Sequence, residues 1–503
     1  MSNWFAQPKG SNHSSADEGR GVGESDQDTQ VMEPDQGNVL SHIISQLRPG
    51  ADLSRVVLPT FILEPRSMLE RITNFMCHPE MLLDVPNIDD PVQRFVSVVK
   101  FYLSGWHIRP PSVNPPRCHS TIRRATVSLI GLSRGVKKPL NPILGEIFTC
   151  YWDLDVNKRA YYISEQTSHH PPKSSYFYMA PHYHIRIDGT LKPRSRFLGN
   201  SAASLMEGVA YLAFLNRGQN RDTGEQYILT QPNMYARGLL FGKMKYELGD
   251  HSVVRCPELD LTADIEFKTK GWVSGTYNAI GGVIKIESTG EVLYELSGLW
   301  SDDMFIKDVK TGHKDMFFNA TTSKPSPPKV RPLAEQEERE SQKLWLSTAK
   351  AVKERNHELA TQEKTRIEDR QREEAAKRAQ DGVEWHPRLF RRVKSSDGVG
   401  DDLEWIIHST VDPRASLEEQ TRQLLSIYPV VDGQTLDGDL AIPPRKGTSQ
   451  TDDGARKEGH LIGMDGKLAT VQDATKREPD EIESLLSSTG KPAQGPLIDF
   501  GDE

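Results

Sequence analysis

Between residues 145 and 320 the apolar residues come in short runs, broken by turn signals about every ten residues, the spacing of a β-barrel or sandwich. HYHIRIDGT sets Tyr183, Ile185 and Ile187 against His182, His184 and Arg186, the alternation of a half-buried strand. GGVIKIESTGEVLYEL predicts a hairpin turning at Thr289 and Gly290, with Ile284, Ile286, Val292 and Tyr294 on its arms. The sheet is therefore expected to be antiparallel.

The flanks read differently. In NVLSHIISQL, Leu40, Ile43, Ile44 and Leu47 fall at i, i+3, i+4 and i+7, one apolar face of a short helix. DLSRVVLPTFILEPRS crowds apolar residues around Pro59 and Pro65, so an extended strip is expected that must cover something. Residues 334–381 are charged and helix-favouring and stop at Gly382, with Leu344, Trp345, Thr348, Ala349 and Val352 facing inward. ASLEEQTRQLLSIY places Leu417, Thr421, Leu424, Leu425 and Tyr428 on one face, a packing helix in preference to a partner site. Residues 1–36 and 434–503 hold too few large apolar side chains to offset the entropy of ordering and are expected to be disordered. The apolar ending PLIDF is a candidate docking peptide.

Composition narrows the classes. The chain has 503 residues, with 62 Lys plus Arg against 70 Asp plus Glu, a formal charge of −8, so the global basic excess of a nucleic-acid binder is absent and any anion site must be local. Cys77, Cys118, Cys150 and Cys256 lie far apart without a CxxC, which argues against a zinc ribbon or a disulfide scaffold and for reduced thiols in the cytosol. The N-terminus lacks a signal-peptide pattern, and no apolar run approaches the ~18 residues of a span, so the expectation is a cytoplasmic protein that visits membrane surfaces. No cofactor is expected.

Three stretches carry chemistry. In SEQTSHHPPKSS, His169 and His170 precede two prolines that lack N–H donors and end a strand, so both rings are presented at a rim. Rings there serve to bind a metal, act as general bases or grip a phosphate, or are satisfied by backbone. No carboxylate or cysteine set stands at metal-ligand spacing, and no GxSxG nucleophile motif is present. GVKKPLNPILGEIF offers Lys137, Lys138 and Asn141 in a stiff, donor-rich loop suited to a phosphate or lipid headgroup, or is simply a solvated turn. Lys364, Glu368 and Arg372 fall at i, i+4 and i+8, drifting about 40° per step, so they share a helical stripe about 12 Å long; an exposed ion-pair ladder is the plain reading.

Taken together, LPTFILEPRS, KKPLNPILGEIF, EQTSHHPP and TQEKTRIEDRQR, in this order along the chain, resemble the oxysterol-binding-protein-related family of lipid transfer proteins, over about residues 51–395. The resemblance implies an α+β, mainly β fold: a near-closed antiparallel β-barrel with an N-terminal lid and flanking helices, enclosing a lipid tunnel. With it the chain is expected to divide into a disordered tail over 1–36, a lid over 37–66, a barrel domain over 67–395 with a charged helical segment over 334–381, a C-terminal extension over 396–433 that lies beyond the resemblance, and a disordered tail over 434–503. Lys138, Asn141, His169, His170, Lys364, Glu368 and Arg372 match positions holding the phosphates and inositol of phosphatidylinositol 4-phosphate. LPTFILEPRSMLERI, LKPRSRFLGNSAAS and YLAFLNRG look like the branch that exchanges phosphatidylserine against that lipid; by that similarity Ser195 and Asn141 contact the serine headgroup, and Leu58, Ile62 and Leu63 lie along the acyl chains. A sterol in place of phosphatidylserine, a static lipid sensor, and a hydrolase using either histidine remain as alternatives. The partners implied are these lipids, transient membrane surfaces and a protein tether, at contact sites between endoplasmic reticulum and plasma membrane.

The chain departs from that pattern at SVNPPRCHSTIRRATVSLIGLSR, residues 112–134, with four arginines and no acid. It reads as a surface loop able to dock on anionic membranes or as a translated intron.

Overall fold

The structure is a computed structural model and describes residues 29–31, 42–43, 47–53, 56, 58–108, 137–199, 201–238, 243–270, 275–400 and 402–435. The basic stretch 112–134, most of the Leu40–Leu47 helix and most of both expected tails lie outside these residues; His42 and Ile43 are helical.

The strands are β1 (Thr29–Val31), β2 (Leu63–Ser67), β3 (Lys138–Leu140), β4 (Ile147–Asp155), β5 (Lys158–Ser168), β6 (Lys173–Ala180), β7 (Ile185–Leu191), β8 (Pro193–Phe197), β9 (Ser201–Met206), β10 (Val209–Phe214), β11 (Glu225–Leu229), β12 (Asn233–Arg237), β13 (Lys243–Cys256), β14 (Leu261–Lys268), β15 (Ala279–Ile286), β16 (Val292–Leu299), β17 (Asp303–Asp308), β18 (Lys314–Asn319), β19 (Phe390–Arg392) and β20 (Trp405–Ile407). The helices are α1 (Met68–Ile72), α2 (Pro91–Ser104), α3 (Ser341–Leu344), α4 (Leu346–Lys353), α5 (His357–Gln380) and α6 (Leu417–Leu425).

Among the described residues, 16 strands join one sheet, whose main path is β18-β17-β16-β15-β14-β13-β11-β10-β7-β6-β5-β4, with β1, β8, β9 and β12 off it. Its pairings are antiparallel, as the alternation predicts. The early half of β13 pairs with β1 and β12, and the late half with β11 and β14, so β13 also carries the ribbon β12-β9-β8. The path does not close from β4 back to β18. Instead Tyr151 and Lys329 exchange backbone hydrogen bonds of 2.9 and 2.8 Å, covering the edge of β4. The result is a near-closed barrel.

α2 fills the barrel beside the sheet. Asp90 caps it by accepting from Val92 N and Gln93 N at 2.8 and 3.2 Å, Pro91 occupies the first turn, and Phe95, Val98, Val99 and Leu103 are buried among Phe214, Tyr227 and Ile265. The buried Arg94 guanidinium donates to both Glu225 oxygens at 2.7 Å, fixing the helix to β11. On the outside of β4–β6, Leu389, Phe390, Ile407, Leu424 and Tyr428 cover Tyr151, Ile163 and Phe177, so α6 and the residues just after it pack onto the barrel.

Three expectations are revised. The extended strip around Pro59 contains one 3-10 turn, Thr60–Ile62, before β2. The charged helix is split into α3, α4 and α5: Trp345 (φ −92°, ψ 9°) separates the first two, and α5 starts afresh because Arg355 turns left-handed (φ 58°) and Asn356 begins a new helix by accepting from Leu359 N; Gly382 (φ 64°) ends α5 as expected. The polar ends also contain order: Thr29–Val31 pairs with β13, and Gln434 bonds Val430 N at 2.8 Å.

Candidate functional site

β2 runs parallel to β3, with Leu63 opposite Lys138 and Ser67 opposite Leu140. The strip before β2 packs Leu53, Phe61, Ile62 and Leu63 against Leu140, Phe197, Met244 and Trp345. Behind it lies a cavity of about 320 Å³. Its walls are mainly apolar, including Leu58, Ile62, Leu63, Phe197, Met234 and Met244, while Lys137, Lys138, Asn141, His169, His170, Lys364 and Glu368 also border it. Ser195 faces it from β8, between Pro193 and Phe197, because alternate residues of a strand share a face.

Ten of the eleven residues that the resemblance assigns to the site thus border one cavity, as does Lys137. Arg372 does not. Its side chain is 64 % exposed and donates to Asp369, because eight residues of helix carry it along the axis and off the Lys364 face. Lys364 donates to Glu368 at 2.7 Å, and both are largely buried.

The histidine pair sits in the tight turn between β5 and β6, just past the end of β5. The EQTS residues before it build that turn. Gln166 accepts from Ser174 Oγ at 2.5 Å and donates to the Ser168 carbonyl at 2.9 Å, and Thr167 and Ser175 share a 2.8 Å hydroxyl contact. The two imidazole centroids lie 4.6 Å apart. Burial, with the neighbouring His170 ring, pushes His169 down to about 4, against a weak opposing effect of the Pro142 carbonyl. His169 Nδ1 is buried beside that carbonyl without a well-formed hydrogen bond.

Burial also lowers Lys138 to about 8, assisted by the Lys364 charge and opposed by Glu368. Lys138 is enclosed by protein, and the surface it keeps faces the cavity. Lys137 is lowered by burial and by Arg355. This end of the cavity therefore holds three lysines against one carboxylate in a poorly solvated place. A bound anion is the cheapest way to complete it.

Three supporting residues lie inside the quoted motifs, although nothing in the motifs says what they touch. Fully buried Glu146 accepts from Ser341 Oγ at 2.6 Å, Trp345 Nε1 at 2.9 Å, Ile143 N at 3.1 Å and Ser67 Oγ, tying β2, the 138–146 loop and α3 together. Burial raises its pKa. Glu165, pushed by burial to about 7, accepts from the backbone N–H groups of Arg388 and Leu389 at 2.7 Å, anchoring the chain beyond α5. Gln371 Nε2 lies 2.8 Å from His169 Nε2. Among the described residues, no group of three or more His, Cys, Asp or Glu side chains is arranged to hold a metal ion, and no helix is long and apolar enough to cross a membrane.

The family model described as oxysterol-binding protein matches residues 42–351 and 347–414. The oxysterol-binding protein homolog 6 of Saccharomyces cerevisiae is 50 % identical over 81 % of this chain and 84 % of its own length. The oxysterol-binding protein-like protein OBPalpha of Candida albicans is 48 % identical over 86 % of this chain and 94 % of its own. Among solved structures, the ORD domain of Osh1 in complex with cholesterol superposes with a TM-score of 0.57 at 20 % identity, covering 79 % of this chain and 91 % of that one. The Osh3 ORD in complex with PI(4)P from Saccharomyces cerevisiae gives 0.51 at 22 % identity, covering 74 % and 90 %. With the barrel, the covered cavity and these matches in hand, the chain belongs to the oxysterol-binding-protein-related family of lipid-binding and lipid-transfer proteins.

Proposed function

We propose that the protein extracts phosphatidylinositol 4-phosphate and phosphatidylserine one at a time and exchanges them between membranes, without altering them chemically. The observation that carries this reading is the conjunction of an apolar cavity with a lysine-rich border. At about 0.8 kcal/mol per CH₂, two acyl chains left in water cost some tens of kcal/mol, so a carrier needs such a covered interior. The phosphate would be held by Lys138, Asn141, His169, His170 and Lys364, with Glu368 accepting from inositol hydroxyls and Arg372 swinging in from the rim. Ser195 and Asn141 would meet the serine headgroup, and Leu58, Ile62 and Leu63 the acyl chains. The PI(4)P held by the Osh3 domain supports the first ligand.

One cavity serves both lipids, so they compete, and a phosphoinositide gradient drives net transport of the other. The lid opens at a bilayer, where its apolar face finds another partner. Work at contact sites between endoplasmic reticulum and plasma membrane, aided by a protein tether, follows from this reading, as does a cytoplasmic location. Residues 1–36 and 434–503 then serve as tails, 37–66 as lid and 396–433 as a brace on the barrel.

A second reading has its own support. Trp106, at the cavity wall, and Tyr102 beside it carry a buried indole N–H and a buried hydroxyl without well-formed partners. A neutral hydroxyl on an otherwise apolar ligand would satisfy them, as a sterol does, and the Osh1 domain is solved with cholesterol. A two-way liposome assay offering phosphatidylserine, sterol and phosphatidylinositol 4-phosphate in turn separates the readings. Sterol transfer without phosphatidylserine transfer would favour the second. Phosphoinositide extraction that survives combined His169→Ala and His170→Ala refutes the site, and lipid recovered chemically changed refutes the non-enzymatic reading.

A further inference from the structure

The hydrogen bonds around Gln371 fix the protonation state of His169 in the unloaded site. Leu144 N lies 2.6 Å from one end of the Gln371 amide. A backbone N–H only donates, so the atom facing it is Oε1. The other end, Nε2, only donates, and it faces His169 Nε2 at 2.8 Å. His169 Nε2 must therefore be a bare lone pair, and the ring's hydrogen sits on Nδ1, beside Pro142. An imidazolium carries hydrogen on both nitrogens and cannot keep this contact. Gln371 is 8 % exposed, and its alternate partners are few.

A neutral ring with its acceptor committed to protein is a poor phosphate ligand. The charged and titratable groups at this end of the cavity are His170 in the same turn, Lys137 and Lys138 at β3, and Lys364 and Glu368 on α5, with the Asp369–Arg372 pair next to Gln371 on the same helix. The lysines oppose a charged ring until an anion arrives. We propose that Gln371 is a positioning residue that holds His169 neutral in the unloaded protein, and that capture of a phosphate-bearing headgroup breaks the Gln371–His169 bond as the ring takes up one proton from solvent.

The proposal rests on the lipid reading above for its ligand, but the state of the unloaded ring does not. The sign follows from linkage: His169 starts near 4 and rises when a phosphate faces it, so uptake occurs between the two values. Across that window affinity falls as pH rises, approaching about tenfold per pH unit for one proton. The ligand's phosphate titrates nearby as well, so the informative quantity is the difference between wild type and variant.

The test is nitrogen-15 NMR of the histidine rings in the full chain, with dioctanoyl phosphatidylinositol 4-phosphate as the probe. In the unloaded wild type at pH 7, His169 is expected to carry hydrogen on Nδ1 alone, and on both nitrogens once the probe is bound. Gln371→Met should raise its titration midpoint by roughly one pH unit, the worth of one hydrogen bond to the neutral form, and flatten the pH dependence of probe binding between pH 5 and 7. Gln371→Glu keeps an acceptor for Leu144 N and adds one for a protonated Nε2, so it should raise the midpoint further, and it serves where the methionine variant fails to fold. A wild-type ring protonated on Nε2 before loading, or midpoints unmoved in the variants, overturns the proposal. Loss of probe binding in His169→Ala with His170→Ala addresses the lipid reading separately.

Discussion

Glu146 makes a sharp test of how the border of the cavity is held. Its Oε1 receives the Ser67 and Ser341 hydroxyls, and its Oε2 receives two obligate donors, Trp345 Nε1 at 2.9 Å and Ile143 N at 3.1 Å. In Glu146→Ala the serines can turn to other acceptors, and Ser341 already has the Ile147 carbonyl at 3.3 Å. The indole and amide N–H groups cannot. Each buried donor left unpaired costs about 1–3 kcal/mol, so with the lost side-chain volume the expected loss is about 3–5 kcal/mol. Glu146→Gln behaves differently. Its carbonyl can serve Trp345 and Ile143 while its NH₂ faces two hydroxyls that can switch to accepting, so about 1–2 kcal/mol is expected. Urea denaturation followed by fluorescence measures both. An alanine variant within about 1 kcal/mol of wild type, or a glutamine variant as damaged as the alanine one, refutes the reasoning.

The remaining predictions address the mouth and the interior. Lys138 is lowered to about 8, so its charge opposes folding below pH 10.5 and the opposition is complete below about 8. Lys138→Met should therefore raise the thermal midpoint of the unloaded protein at pH 7, by about 1–3 kcal/mol in stability, while abolishing phosphoinositide extraction; an unchanged midpoint counts against the burial argument. Arg372→Ala should change stability by less than ~0.5 kcal/mol, since its pair with Asp369 is exposed, yet weaken phosphoinositide binding at least tenfold. Equal binding would remove Arg372 from the site. Ala236→Phe projects a ring into the cavity and should block lipid transfer with an unaltered far-ultraviolet circular dichroism spectrum; transfer at the wild-type rate would show that the lipid lies elsewhere.

Alternation carried the barrel well. The 279–299 hairpin is legible because Ile284 and Tyr294 are paired residues on one antiparallel ladder, and such pairing leaves a period-two trace in the chain. The break at Arg355 is only faintly legible, since a left-handed arginine has no signature and its one local mark is Asn356, an N-cap residue in a run that otherwise mostly favours helix. Lys364 and Glu368 are readable as one face, but the same rule overextends to Arg372, because a straight helix leaves a curved cavity wall after two turns. Glu146 and Gln371 escape sequence reasoning for a common reason. Both stand inside quoted motifs, but their work is to accept from, or donate to, groups mostly distant in the chain, and the local pattern does not say which.

The electrostatics of the border argue that the unloaded protein is the strained member of the cycle. Lys137, Lys138 and Lys364 share a poorly solvated end with Glu368 as their near carboxylate, and burial already pulls Lys138 toward neutrality. Partial loss of charge is the protein's own relief, and a bound phosphate is the alternative one. A dianionic headgroup favours the charged form of Lys138 and gains the attraction of the lysines in a medium where each pair is worth more than in water. A zwitterionic or singly charged headgroup relieves less. Phosphatidylinositol 4-phosphate should then raise the thermal midpoint more than phosphatidylserine at equal free concentration, since ligand stabilisation grows with the ratio of concentration to dissociation constant for the folded state. Removing Lys138 should narrow that difference, because the methionine variant has less charge to compensate. Equal shifts from both lipids in the wild type would show that the acyl chains, and not the headgroup, dominate capture.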